Sequence, residues 1–205
     1  PQADIHNLQF TLQHYQKQIT GYSLGFDFDN FKLKSTGKIP KLNNLAGKFR
    51  LSPQGGGLYF DRTSPKIAFP RLFRQSLQLQ QVESEIAWHR QQDGWLVKVP
   101  QFKLVSDNAI AKGQLQLHLD PQGKSPQIEM TAEVKSERST NEQIKRYYPV
   151  GIMTTPLVDW LDDAIKQTGP GQATLVLRGP LNHFPFDDKS GTFEVVAQAK
   201  ELELA

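Results

Sequence analysis

Apolar and polar residues alternate with a period of two through most of this chain, and that alternation limits the possible folds more than any other feature. In "GQLQLHLDPQGKSPQIEMTAEV", Leu115, Leu117 and Leu119 share one face of a strand, and Ile128, Met130, Ala132 and Val134 share one face of the next. A Pro-Gly turn separates the two. Leu8, Phe10 and Leu12 repeat the pattern, as do Leu24, Phe26 and Phe28, then Val82, Ile86 and Trp88. A one-residue slip is expected at Asn30, because Phe31 and Leu33 resume the alternation after it. Pro100 is expected to interrupt its ladder and shift the inward register. Gly55, Gly56 and Gly57 read as the turn of a hairpin, and Pro70 in "KIAFPRLF" as a bend or edge strand.

The period changes only between residues 139 and 169. Ser139 and Glu142 have capping-box spacing, and Pro149 stops that first short helix. In "TTPLVDWLDDAIKQTGPG", Thr155 reads as N-cap and Pro156 as the first helical residue, with Gly169-Pro170 ending the helix. Leu157, Leu161, Ala164 and Ile165 form its apolar stripe, with Trp160 beside it. The expected organisation is one segment, 1–205: an antiparallel meander over 1–138, a helical insertion over 139–169, and continuing strands over 170–205. The alternation is still running at "AKELELA", so the chain is expected to be an internal piece of a longer protein.

Composition excludes several classes of function. Lys and Arg number 24 against 21 acids, and no run of four basic residues occurs, so the concentrated positive footprint of a nucleic-acid binder is missing. Without cysteine there is no disulfide, thiolate metal site or thiol nucleophile. The 21 glutamines are spread along the chain and suit wide solvated sheet faces. The histidines at 6, 14, 89, 118 and 183 have no metal-ligand spacing. Asp162-Asp163 diverge by about 100° on a helix and make no paired-acid site. The glycine runs lack the setting of a phosphate loop. No catalytic residue, metal or cofactor is expected.

The open question is what covers about ten or eleven apolar strand faces with only two short helices at hand. A sheet of this width either folds into a sandwich or curls into a trough whose inner face stays partly open. The meander without crossovers favours the trough, a mainly β, long, twisted antiparallel sheet curled into an apolar groove. Its expected lining is Leu115, Leu117, Leu119, Ile128, Met130, Val134, Leu175, Leu177, Phe193 and Val195. The loop "HFPFDD" adds Phe184 and Phe186, either as a plug on the core or as a contact for lipid. The alternative is a β-sandwich scaffold or carbohydrate-binding module of the cell envelope, using exposed Trp88 and Trp95.

Several stretches carry a family resemblance: "YYP" before the second helix, "WLDDAI" within it, a strand ending "LRG", then "FPF" and "GTFEV". With "LAGKFRLSPQGGGLYFD", "FPRLF" and "IAWHRQQDGWLVKVPQFKL" upstream, the chain resembles the AsmA-like envelope proteins of Gram-negative bacteria, YhdP branch, over about residues 45–205. The resemblance implies a periplasmic β-groove in a protein anchored to the inner membrane by a helix outside this segment. It also implies bridge-like transfer of phospholipid between inner and outer membranes. The partners it implies are acyl chains and neighbouring groove segments of the same chain, and it brings no catalytic residues.

Overall fold

The computed structural model describes residues 1–16, 18–35 and 40–204. Alternating residues form long strands joined mostly by tight turns. The first are β1 (Gln2–Tyr15), β2 (Gln18–Leu33), β3 (Lys41–Ser52) and β4 (Gly55–Thr63), followed by two short strands, β5 (Lys66–Ala68) and β6 (Leu77–Gln78). β7 (Gln81–Gln91), β8 (Gly94–Val105), β9 (Ala109–Leu119) and β10 (Gln127–Ser136) continue the meander. Then come β11 (Ser139–Thr140), α1 (Asn141–Lys145), α2 (Thr155–Ala164) and β12 (Ile165–Thr168). β13 (Gly171–Pro180), β14 (Thr192–Ala199) and β15 (Leu202–Leu204) complete the chain.

One antiparallel path runs β1-β2-β3-β4-β7-β8-β9-β10-β13-β14, with β5 attached to β3 and β6 to β5. β1 and β14 do not pair with each other, so the sheet is an open one and not a barrel. Among the described residues no second leaf faces it, which rules out the sandwich. The remaining sheet, β11-β12-β15, continues three of the same strands past a break. Pro170 has no N–H to give the ladder, while Gly169 donates to the Glu201 carbonyl at 2.8 Å and Lys200 to the Pro170 carbonyl at 3.1 Å.

The expected irregularities lie where the sequence places them. Register shifts between Phe28 and Phe31, with Asn30 at φ 51°, and between Val99 and Phe102, beside Pro100. Further shifts at His6/Gln9, Phe60/Thr63 and Ser84/Ala87 give most strands from β1 to β9 a bulge, and each bulge adds local right-handed twist. This is how a wide sheet comes to curl rather than lie flat.

Several expectations need correction. The turn after β3 is made by Pro53 and Gln54, and the three glycines lie inside β4. A Cβ on Gly55 would sit 2.1 Å from the Trp88 carbonyl, so those glycines serve close packing. Thr140 with Gln143, not Ser139 with Glu142, forms the capping box of α1, and Thr154, not Thr155, stands at the N-cap position of α2, which makes Pro156 its second residue and not its first. α2 also ends at Ala164, because residues 165–168 pair with 202–204 and that ladder outcompetes another helical turn. Its buried residue is Val158, whereas Leu157 is 45% and Trp160 60% exposed.

The helical segment docks at the sheet end where β8 turns into β9. Tyr147 Oη donates to Asn108 Oδ1 at 2.8 Å and lies 2.8 Å from Ser106 Oγ; Asn108 Nδ2 donates to Ser139 Oγ at 2.9 Å. Burial pushes the Tyr147 hydroxyl above the usual tyrosine range. Arg74, on the segment after β5, binds both oxygens of Asp162 on α2, at 3.0 and 2.6 Å.

Candidate functional site

Antiparallel register carries the alternation of each strand across to the next, so apolar residues line up in rows that cross the sheet. One row is Phe10, Leu24, Leu51, Gly56, Trp88, Val97, Leu117, Ile128 and Gly179, each directly opposite the next. These nine positions include no polar side chain. Eight interstrand steps of about 4.8 Å give a path of roughly 38 Å. A parallel row contains Val99, Leu115, Met130, Leu177 and Phe193. A third runs Phe102, Gly113, Ala132, Leu175 and Val195. A fourth runs Val82, Leu104, Ala111, Val134, Ala173 and Ala197. The opposite face carries the charges, including Lys103–Glu83 at 3.6 Å and Arg178–Glu129 at 3.8 Å.

Glycine keeps this face level. A Cβ on Gly56 would meet the Trp88 ring at 2.4 Å, and one on Gly113 would meet the Phe102 ring at 2.6 Å. The large rings lie down across the missing side chains instead of standing out of the sheet. Trp88 in turn lies 5.9 Å from Phe49, which stacks on Phe26 at 4.7 Å. Trp88 is therefore half-buried in the floor and not free for a sugar.

All ten expected lining residues fall on this one face, in the rows above or beside them; Leu119 stands opposite Trp95 at the rim. They differ in exposure. Ile128 and Leu177 are buried beneath Phe186, with Leu115, Leu117, Met130, Leu175, Phe184 and Phe193 packed around them. Val195 is 52% exposed. Phe184 and Phe186 fold back onto the floor: the two rings are 5.8 Å apart, and Phe184 meets Phe193 edge-on at 5.1 Å.

The loop 181–191 is firmly held. Leu181 N–H donates to the Pro126 carbonyl at 2.8 Å and Asn182 N–H to Ser125 Oγ at 3.0 Å. His183 Nδ1 lies 2.5 Å from Asp188 Oδ2, and the Ser190 N–H donates to Asp188 Oδ1 at 3.0 Å. Contacts with Ser190, then with His183, hold the Asp188 carboxyl down at about 2. Phe186 has φ 75°, a region that bulky residues avoid, and ring burial offsets the strain.

The sequence-derived lining omitted the N-terminal half of the floor, although the same alternation marks it. There Phe28, Leu45, Phe60, Leu79 and Val82 form a second buried cluster, with Phe26, Phe49, Leu58 and Ile86 against it. Leu79 lies between β6 and β7, where its N–H donates to the Pro65 carbonyl at 3.0 Å and that of Gln80 to the Val105 carbonyl at 2.8 Å, so it extends the sheet itself through long-range pairing that periodicity does not reveal.

Among the described residues no group of three or more His, Asp or Glu is placed to hold a metal, and no helix is long and apolar enough to cross a membrane. The profile of the YhdP family (YhdP protein) matches residues 1–205. The intermembrane phospholipid transporter YhdP of Escherichia coli (strain K12) is 25% identical over 167 residues, 82% of this chain and 13% of that protein. The chain thus spans a small part of the curated relative's length. No solved structure matches it.

Proposed function

The chain belongs to the YhdP family, and from that premise we propose that it forms a stretch of acyl-chain floor in a protein that carries phospholipid between membranes. The observation that carries this reading is the row from Phe10 to Gly179, apolar or glycine at every step, in an open sheet with a charged opposite face. The function of the Escherichia coli relative, intermembrane phospholipid transport, supports it.

The physics requires such a floor. Moving one CH₂ from water to an apolar surface gains about 0.8 kcal/mol, so a sixteen-carbon chain gains roughly 12 kcal/mol. A lipid crossing water bare would lose that amount from each tail. A floor without polar interruptions lets the tails advance from strand to strand at little change in free energy, while the headgroup stays in water past the open side. Leu115, Leu117, Leu119, Ile128, Met130, Val134, Leu175, Leu177, Phe193 and Val195 make up the C-terminal half of this floor, in which Ile128 and Leu177 lie beneath Phe186. Leu24, Leu51 and Trp88 belong to the N-terminal half. No covalent step is involved and no cofactor is needed. The setting we propose is the periplasm, with inner-membrane anchorage and further groove segments supplied from outside these residues.

The test is phospholipid recovered with the purified full-length protein, by extraction and mass spectrometry. Leu24→Asp and Leu51→Asp each place a charge on a half-buried floor position and are expected to fold while losing most bound phospholipid. Folded variants that retain the parental lipid content would overturn the reading.

A further inference from the structure

One loop covers part of the apolar face, on its C-terminal side, while the N-terminal cluster is packed within the sheet. From β2 to β7, Leu79 packs beside Phe28, Leu45, Phe60 and Val82 as part of the sheet, its N–H bonded to the Pro65 carbonyl at 3.0 Å. Over β9 to β14, Phe186 packs on Ile128 and Leu177, with Phe184 beside it on Phe193. The row from Phe10 to Gly179 is therefore covered by this loop at its β10–β13 end. Phe10 at 64% and Val195 at 52% exposure mark two corners that stay open.

The phenylalanine cover is a built feature. Phe186 fits where β13 and the start of β14 have no side chains: a Cβ on Gly179 or Gly191 would reach its ring at 3.0 and 2.8 Å. The loop is tied at one end to the β9–β10 connection and closed at the other by the His183–Asp188 pair.

We propose that Phe184 and Phe186 are positioning residues of the groove, a fixed partition that shuts acyl chains off from the Leu117–Ile128 corner and steers them obliquely toward Leu175 and Val195. This rests on the acyl-floor reading above and adds a lane within the floor. A tail advancing along the Phe10 row from β1 meets the Phe186 ring at β10 and must shift along the strand direction to continue. Ile128 and Leu177 then serve as the bed for the rings and not as lipid contacts.

The experiment places p-benzoylphenylalanine singly at Leu51, Leu117 or Val195 of the full-length protein in cells, irradiates, and measures phospholipid adducts by mass spectrometry. Adducts at Leu51 and Val195 are expected to exceed those at Leu117 about tenfold, because the photoprobe needs direct contact. Phe184→Ser with Phe186→Ser is expected to raise Leu117 to the Val195 level, whereas Phe184→Leu with Phe186→Leu keeps it low. Equal labelling of Leu117 and Val195 in the otherwise unaltered protein would overturn the partition, and that comparison needs no loop variant to fold. Absence of adducts at all three positions would refute the acyl floor itself, a result distinct from failure of the lane.

Discussion

Phe186 offers a test in which the usual order of two substitutions is reversed. The ring is 6% exposed and φ at this residue is 75°. Phe186→Ala removes a buried ring, which costs about 3 kcal/mol at the low end of the range because a surface loop can settle into part of the space. For a chain of this size that corresponds to a fall in Tm of roughly 6–12 °C. Phe186→Gly removes one carbon more. At ordinary backbone angles glycine would be the less stable of the two by about 0.5–1 kcal/mol, through its greater unfolded-state entropy. In the left-handed region, however, an L-residue pays about 1–2 kcal/mol that glycine does not. Phe186→Gly is therefore expected to be more stable than Phe186→Ala by about 0.5–1 kcal/mol. Urea unfolding, with m unchanged between variants, measures both numbers. Glycine below alanine by the ordinary margin would refute the left-handed backbone, and a loss under about 1 kcal/mol for alanine would refute the burial of the ring.

Gly56→Ala places a methyl 2.4 Å from the Trp88 ring and 2.5 Å from the Arg50 carbonyl, and only the ring can give way. A loss of about 1–3 kcal/mol is expected, with tryptophan emission shifted to the red as the ring lifts into water. The carboxyl of Asp188 lies at about 2 in the folded loop against an ordinary 3.8, so the stability it lends is complete above about 3.8 and lost as pH falls to about 2. Urea midpoints of the parent and Asp188→Asn should accordingly differ by a constant amount from pH 7 to about pH 4 and converge near pH 2; a gap that opens on acidification would contradict the contacts.

Much of the fold is legible because strand alternation is a local property. Leu115, Leu117, Ile128 and Met130 announce their shared face from spacing alone, and Asn30 and Pro100 announce breaks because each has a backbone preference of its own. What stayed hidden depends on partners distant in sequence. Ile165 follows Leu161 at helical spacing, and only the arrival of Leu202–Leu204 turns it into a strand. Gly55–Gly57 look like a turn until Trp88 lies across Gly56. Phe184 and Phe186 are plainly an oily loop, but that they fold inward follows from Gly179 and Gly191, two ordinary-looking glycines on different strands. Leu79 gave no signal as a neighbour of Phe60 in the floor, since its place depends on β5 and β6 pairing back to β3.

An open sheet path also sets how such a protein changes in size. A closed barrel ties its bore to strand number and shear, so one added hairpin rebuilds every register in the ring. Along this path each strand meets only the strands on either side of it, and β1 and β14 make no demand on each other. Inserting or deleting an internal hairpin would lengthen or shorten the floor by roughly 10 Å and leave the registers on either side as they were. Reach and width are thus uncoupled: hairpin number sets how far a tail can travel, and local covers such as the phenylalanine loop set how narrow its track is at each point.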